Sequence, residues 1–119
     1  MRRYALALTL AVLSAAVLGC QPRPALTFAP AALPAARTGH PYQVSLTVSR
    51  NVTPVGRIYV AAGTLPRGLA LADQRGDSSA EISGTPAAAG RFEFTIAAWC
   101  LGTNTSGQAG QRDYVLVVK

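Results

Sequence analysis

The residues that could carry chemistry are few and widely separated. His40 is the only histidine and lies in Gly39-His40-Pro41. A Ser–His–Asp triad or a zinc site needs partners that no spacing in this chain sets around it, and the flanking glycine and proline mark a turn. The five acids, Asp73, Asp77, Glu81, Glu93 and Asp113, show neither the paired spacing of glycosidase carboxylates nor that of an oxygen-rich calcium cage. No serine sits in a nucleophile elbow. The only lysine is Lys119, so no glycine loop combines with a lysine to cradle a phosphate. The expectation is a protein that is not an enzyme, with no catalytic residue, no metal ligand set and no cofactor.

A tripeptide, an indole and two thiols remain. Arg75-Gly76-Asp77 resembles the integrin-recognition sequence and falls between two expected short strands, where a loop tip would display it. These are also ordinary turn residues, and the turn reading is the stronger. Trp99 is the only tryptophan and alternates outward on its strand. Exposed tryptophans bind sugars or partners, but an indole can equally cover a sheet edge, which is the favoured reading. The alternative function kept here is a carbohydrate-binding module of the cell envelope, centred on Trp99 and an expected loop over Leu101–Gly110.

Cys20 takes its meaning from what precedes it. Arg2 and Arg3 form a basic start, followed by an uncharged run from Tyr4 to Gly19. As a helix that run is roughly 24 Å long, short of the roughly 30 Å hydrocarbon core of a bilayer, so it reads as a cleaved signal segment. It ends Val17-Leu18-Gly19-Cys20, which resembles the bacterial lipobox, in which the cysteine thiol takes a diacylglyceryl group and becomes the mature N-terminus. Two plainer readings stay open: cleavage after Ala16, and Cys20 as an ordinary linker cysteine. Gln21, where an aspartate would hold such a protein at the inner membrane, leans by the same resemblance towards the outer membrane, facing periplasm or cell surface. With Cys20 lipidated, Cys100 has no disulfide partner within the chain.

Removing residues 1–19 takes two arginines from the eleven basic residues and leaves nine against five acids, a net charge of +4. The arginines are scattered singly, so no nucleic-acid footprint is expected. Residues 20–25 form a tether containing Pro22 and Pro24, and residues 26–119 form one domain.

The elements that must position these groups are short strands. Leu65 to Pro86 organises the rest: Pro66 and Gly68 turn the chain, Leu69 and Leu71 enter a strand, Gly76 turns again, and Ile82 returns before Gly84 and Pro86. Tyr42, Val44, Leu46 and Val48 alternate with polar residues. So do Phe92, Phe94, Ile96, Ala98 and Cys100. Further strands are expected at Ala25–Ala29, Arg57–Ala62 and Asp113–Val118, with Ala31–Ala36 a loop. About seven strands without a long amphipathic helix predict an all-β sandwich.

Six motifs occur in order: Leu33-Pro34; Gly39-x-Pro41-Tyr42; Gly63-x-Leu65-Pro66-x-Gly68-Leu69-x-Leu71; Ile82-Ser83-Gly84-Thr85-Pro86; Gly90-x-Phe92-x-Phe94-x-Ile96; and Tyr114-x-Leu116-x-Val118. Together they resemble the immunoglobulin-like domains of bacterial surface proteins, relatives of cadherin- and dystroglycan-type modules. The resemblance implies an Ig-like β-sandwich used for spacing, display or adhesion, without catalysis. Three departures stand out. Arg50-Asn51 replaces a glycine pair. Cys100 stands where the family commonly has an aspartate, which argues against a cadherin-like calcium site. One copy is present where the family is usually arrayed. The function expected is a lipid-anchored envelope protein whose domain is a structural, protein-interaction or adhesion module with a protein partner.

Overall fold

A computed structural model describes residues 25–102 and 107–119; Cys20, with the leader and the tether as far as Pro24, lies outside the described residues. Seven strands follow one another as β1 (Thr27–Ala29), β2 (Tyr42–Ser49), β3 (Val55–Gly63), β4 (Leu69–Asp73), β5 (Ser79–Gly84), β6 (Gly90–Cys100) and β7 (Ala109–Val118). They form two sheets in the orders β1-β2-β5-β4 and β3-β6-β7, and every pairing is antiparallel. The architecture is the expected Ig-like β-sandwich.

Period-two alternation supplies the core. Leu46 and Val48 from β2 and Ile82 from β5 meet Ile58 from β3, Ile96 from β6 and Leu116 from β7, each at most 1% exposed. Phe94 and Tyr114 pack beside them with ring centroids 6.3 Å apart. Cys100 belongs to the same core.

The two motif halves Leu-Pro-x-Gly-Leu and Ile-Ser-Gly-Thr-Pro lock together backbone to backbone. Gly68 and Gly84 both take positive φ, 97° and 133°, and a Cβ on either would strike a carbonyl of the other half, Thr85 for Gly68 and Gly68 for Gly84. The Thr85 N–H donates to the Gly68 carbonyl at 3.2 Å and the Ala87 N–H to that of Arg67 at 2.9 Å. Only glycine fits either position, which accounts for the pairing of the two motifs.

Prolines break the segment between β1 and β2, as expected, and it crosses from one sheet to the other. β1 pairs with β2, whereas Ala36 bridges Val118 of β7 in parallel. Tyrosine hydroxyls anchor the crossing, Tyr114 donating to the Pro30 carbonyl and Tyr42 to that of Pro34, both at 2.9 Å.

Strand boundaries differ from the sequence reading: β1 begins at Thr27 where Ala25 was expected, and β3 runs on to Gly63 where Ala62 was expected. β3 begins at Val55, because a register shift between Val55 and Arg57 lets Val55 pair with Cys100. β7 begins at Ala109, where Ala109 and Gly110 pair with Trp99 and Ala98, so the loop expected over Leu101–Gly110 is cut short by strand pairing.

Candidate functional site

The outward face of the three-stranded sheet is read from its register. Side by side across β3, β6 and β7 stand Arg57, Trp99 and Ala109, then Tyr59, Ala97 and Gln111, then Ala62, Thr95 and Asp113; Glu93 with Val115 and Arg91 with Val117 complete the rows. Among the described residues the exposed large apolar side chains are Val52, Tyr59, Trp99, Val115 and Val117, and all but Val52 lie on this face. Ala97 also points outward yet is only 5% exposed, because its larger neighbours close over it. The opposite outward face is of another character, with Gln43, Ser45 and Thr47 of β2 beside Ser83, Glu81 and Ser79 of β5.

Trp99 is where alternation placed it, and the structure gives it a packing partner. A Cβ on Gly56 would come within 2.6 Å of three atoms of the six-membered ring of Trp99, so the indole lies on bare backbone of the edge strand β3. One side of the ring is therefore committed to packing, and Trp99 is 36% exposed. The favoured sequence reading, an indole covering a sheet edge, describes this contact.

Next to Trp99, Asp73 ties the sheets together. Arg57 donates through Nε to Asp73 Oδ2 at 2.8 Å, and the Ile58 N–H donates to the same oxygen at 3.0 Å. Asp73 sits on β4, the edge of one sheet, and its partners on β3, the edge of the other. The Arg57 hydrogen bond holds the Asp73 carboxyl below the usual carboxylate range; burial opposes this and the Ile58 N–H assists it. Further along the face, Thr95 Oγ1 donates to Asp113 Oδ1 at 2.6 Å. Ala62, Gly63, Glu93, Thr95, Asp113 and Val115 line an open cavity of about 400 Å³ there.

Arg75, Gly76 and Asp77 are exposed in the turn between β4 and β5. The Asp77 N–H donates to the Gln74 carbonyl at 3.0 Å and the Gly76 N–H to the Val55 carbonyl at 2.8 Å. The turn is thus fastened to β3 one residue from Gly56. The fold brings the Arg75–Asp77 turn and Trp99, far apart in sequence, to one end of the molecule.

Cys100 is buried, and burial pushes its thiol pKa up. Glu93 and Asp113 point outward and are exposed. His40 is an exposed turn residue whose Nδ1 lies 3.1 Å from the Thr38 carbonyl. Among the described residues no three His, Cys, Asp or Glu side chains converge on a metal position. Arg50, in place of a family glycine, has φ of 66°; the position keeps the left-handed conformation that glycine takes freely. Sequence reasoning missed Tyr59, Val115, Val117 and Asp73. The signal for the two valines was present, since Tyr114 to Val118 is apolar at every position and a strand with one solvated face has no need of that.

Two antiparallel sheets in this order, with the segment after the first strand crossing between them, define an immunoglobulin-like sandwich domain. The chain belongs to the family described as "Putative Ig domain", whose profile matches residues 24–119. Among solved structures it is similar to the SrpA adhesin from Streptococcus sanguinis, at TM-score 0.61 and 14% identity, with 85% of this chain and 60% of that one covered. A point mutant of the same adhesin is similar at TM-score 0.60 and 13% identity, covering 83% and 57%. The chain therefore spans about three fifths of the length of these structures. At this identity the likeness is one of fold. No curated protein is similar to the chain in sequence.

Proposed function

We propose that this protein is a lipid-anchored component of a bacterial cell envelope, held at the outer membrane, whose Ig-like domain binds a protein partner and performs no catalysis. The observation that carries the binding role is the gathering of Tyr59, Trp99, Val115 and Val117 on one outward sheet face, opposite a face of small polar residues. Apolar and aromatic side chains grouped on a rigid sheet, rimmed by Arg91, Glu93 and Asp113, have the composition of an interface. An adhesive use fits a fold shared with a streptococcal adhesin.

The anchor rests on Val17-Leu18-Gly19-Cys20. Intact mass of the mature protein should include a diacylglyceryl group, and Cys20→Ala should leave a precursor or a soluble product. The binding role is tested by affinity capture from solubilised envelopes. Wild type should retain a discrete protein that a Val115→Lys, Val117→Lys double variant does not, and equal retention by both would contradict the reading. A glycan array separates the polysaccharide alternative, which requires retention that Trp99→Ala abolishes.

A further inference from the structure

We propose that the end of the sandwich at which residue 25 enters is a membrane-contact surface for an anionic phospholipid headgroup layer; this rests on the anchor reading of Cys20. Leu26 packs against Gly110, and Thr27 pairs with Ser49, so the chain enters where the 50–54 and 74–78 connections and the start of β7 meet. Four residues, Gln21 to Pro24, separate Cys20 from Ala25, and the five steps between them make a leash of roughly 17 Å at full extension. A lipid on Cys20 keeps this end of the domain at the bilayer surface. The end marked by Pro66, Pro86 and Lys119 lies a strand length away, roughly 30 Å.

This end is built rigidly and carries the chemistry a headgroup layer takes. Gln108, 6% exposed, accepts from the Val52 N–H at 2.6 Å and donates to the Arg50 carbonyl at 3.2 Å. Thr53 Oγ1 donates to the Leu101 carbonyl at 2.6 Å, and the Leu101 N–H to that of Pro54 at 2.8 Å. On this frame Val52 is presented 68% exposed, the most exposed large apolar side chain among the described residues. Arg50, two residues before it, and Arg75, in the turn whose Gly76 N–H donates to the Val55 carbonyl, are exposed at the same end, with Asp77 the one carboxylate on the described parts of these connections. Trp99 stands one row back, beside the Val55–Cys100 pair. Basic residues around an apolar tip with an indole behind it suit a headgroup boundary. Because the leash supplies a high effective concentration, individually weak contacts suffice.

The test uses the mature protein in vesicles of three parts phosphatidylethanolamine to one part phosphatidylglycerol, with a lipid nitroxide-labelled near the glycerol as quencher of Trp99. Intact mass of the same sample reads the anchor separately. If no lipid is present, coupling the Cys20 thiol to a maleimide lipid supplies the leash, since Cys100 is buried, and the contact is still tested. Wild-type Trp99 should be quenched. Arg50→Asn, which tolerates the left-handed backbone, and Arg75→Gln should each weaken the contact equilibrium roughly fivefold. Val52→Ser should weaken it too, as should phosphatidylcholine vesicles. Arg67→Gln, an equal change of net charge at the far end, should have no effect. Absence of quenching in the wild type, indifference to Arg50→Asn and Arg75→Gln, or an equal loss with Arg67→Gln would overturn the proposal. A protein partner on these connections would give the first of those results.

Discussion

Gly56→Ala puts a methyl group where the Trp99 ring now lies. Trp99 is partly exposed, so the ring can swing outward and the backbone can stay in place. A tryptophan side chain covers up to about 250 Å². At 36% exposure roughly 150 Å² of it is covered, and lifting the ring off Gly56 returns about half of that to water. At about 25 cal/mol per Å² the loss is ~2 kcal/mol, and replacing glycine by alanine in a strand recovers about 0.5–1 kcal/mol. The expected net cost is about 1–1.5 kcal/mol by urea unfolding. Because Trp99 is the only tryptophan, its emission should move to longer wavelength and its acrylamide quenching should rise. Unchanged emission with unchanged stability would refute the packing of Trp99 on Gly56. A loss above about 3 kcal/mol would show that the backbone yields instead of the ring.

Phe94, 3% exposed and packed beside Tyr114, should cost about 3–5 kcal/mol when replaced by alanine; a change below about 1 kcal/mol would remove it from the core. The Asp73 carboxyl has a lowered pKa, so its contribution is complete above about pH 4, the usual unfolded value, and is lost as pH falls through the lower folded value. Wild type should therefore lose stability on acidification in that window, and Asp73→Asn should show a shallower loss over the same range. Cys100, buried with its thiol pKa raised, should react slowly with a maleimide until the domain is denatured. With a thiol at the family's aspartate position and Glu93 and Asp113 facing outward, melts in calcium and in chelator should overlay, and a midpoint several degrees higher in calcium would contradict this.

The strands were legible because alternation is a local property. Tyr42–Ser49 matches β2 at both ends, and the inward set Phe92 to Cys100 is the inward set of β6. Strand ends were less legible, because pairing extends them through residues with no pattern of their own. Gly56 and Gly110 carry no side chain to alternate, yet both lie within strands. Asp73 is unremarkable in sequence, and its role arises only where β4 comes beside β3, so spacing between acids could not find it. Trp99 was assigned its direction, but its seat on Gly56 depends on the register of β3 with β6. The interaction face was half legible: Val115 and Val117 were read as strand residues without regard to which side each one shows.

The central claim, that the Tyr59–Trp99–Val115–Val117 face engages a partner, is tested most directly by photo-crosslinking in intact cells. A photoreactive residue is placed at Val115 and, separately, at Ser45 on the opposite sheet face. Crosslinking from Val115 should give a discrete adduct with an envelope protein, and crosslinking from Ser45 should give none. The same adduct from both positions, or none from Val115 in cells that display the folded protein, would contradict the account.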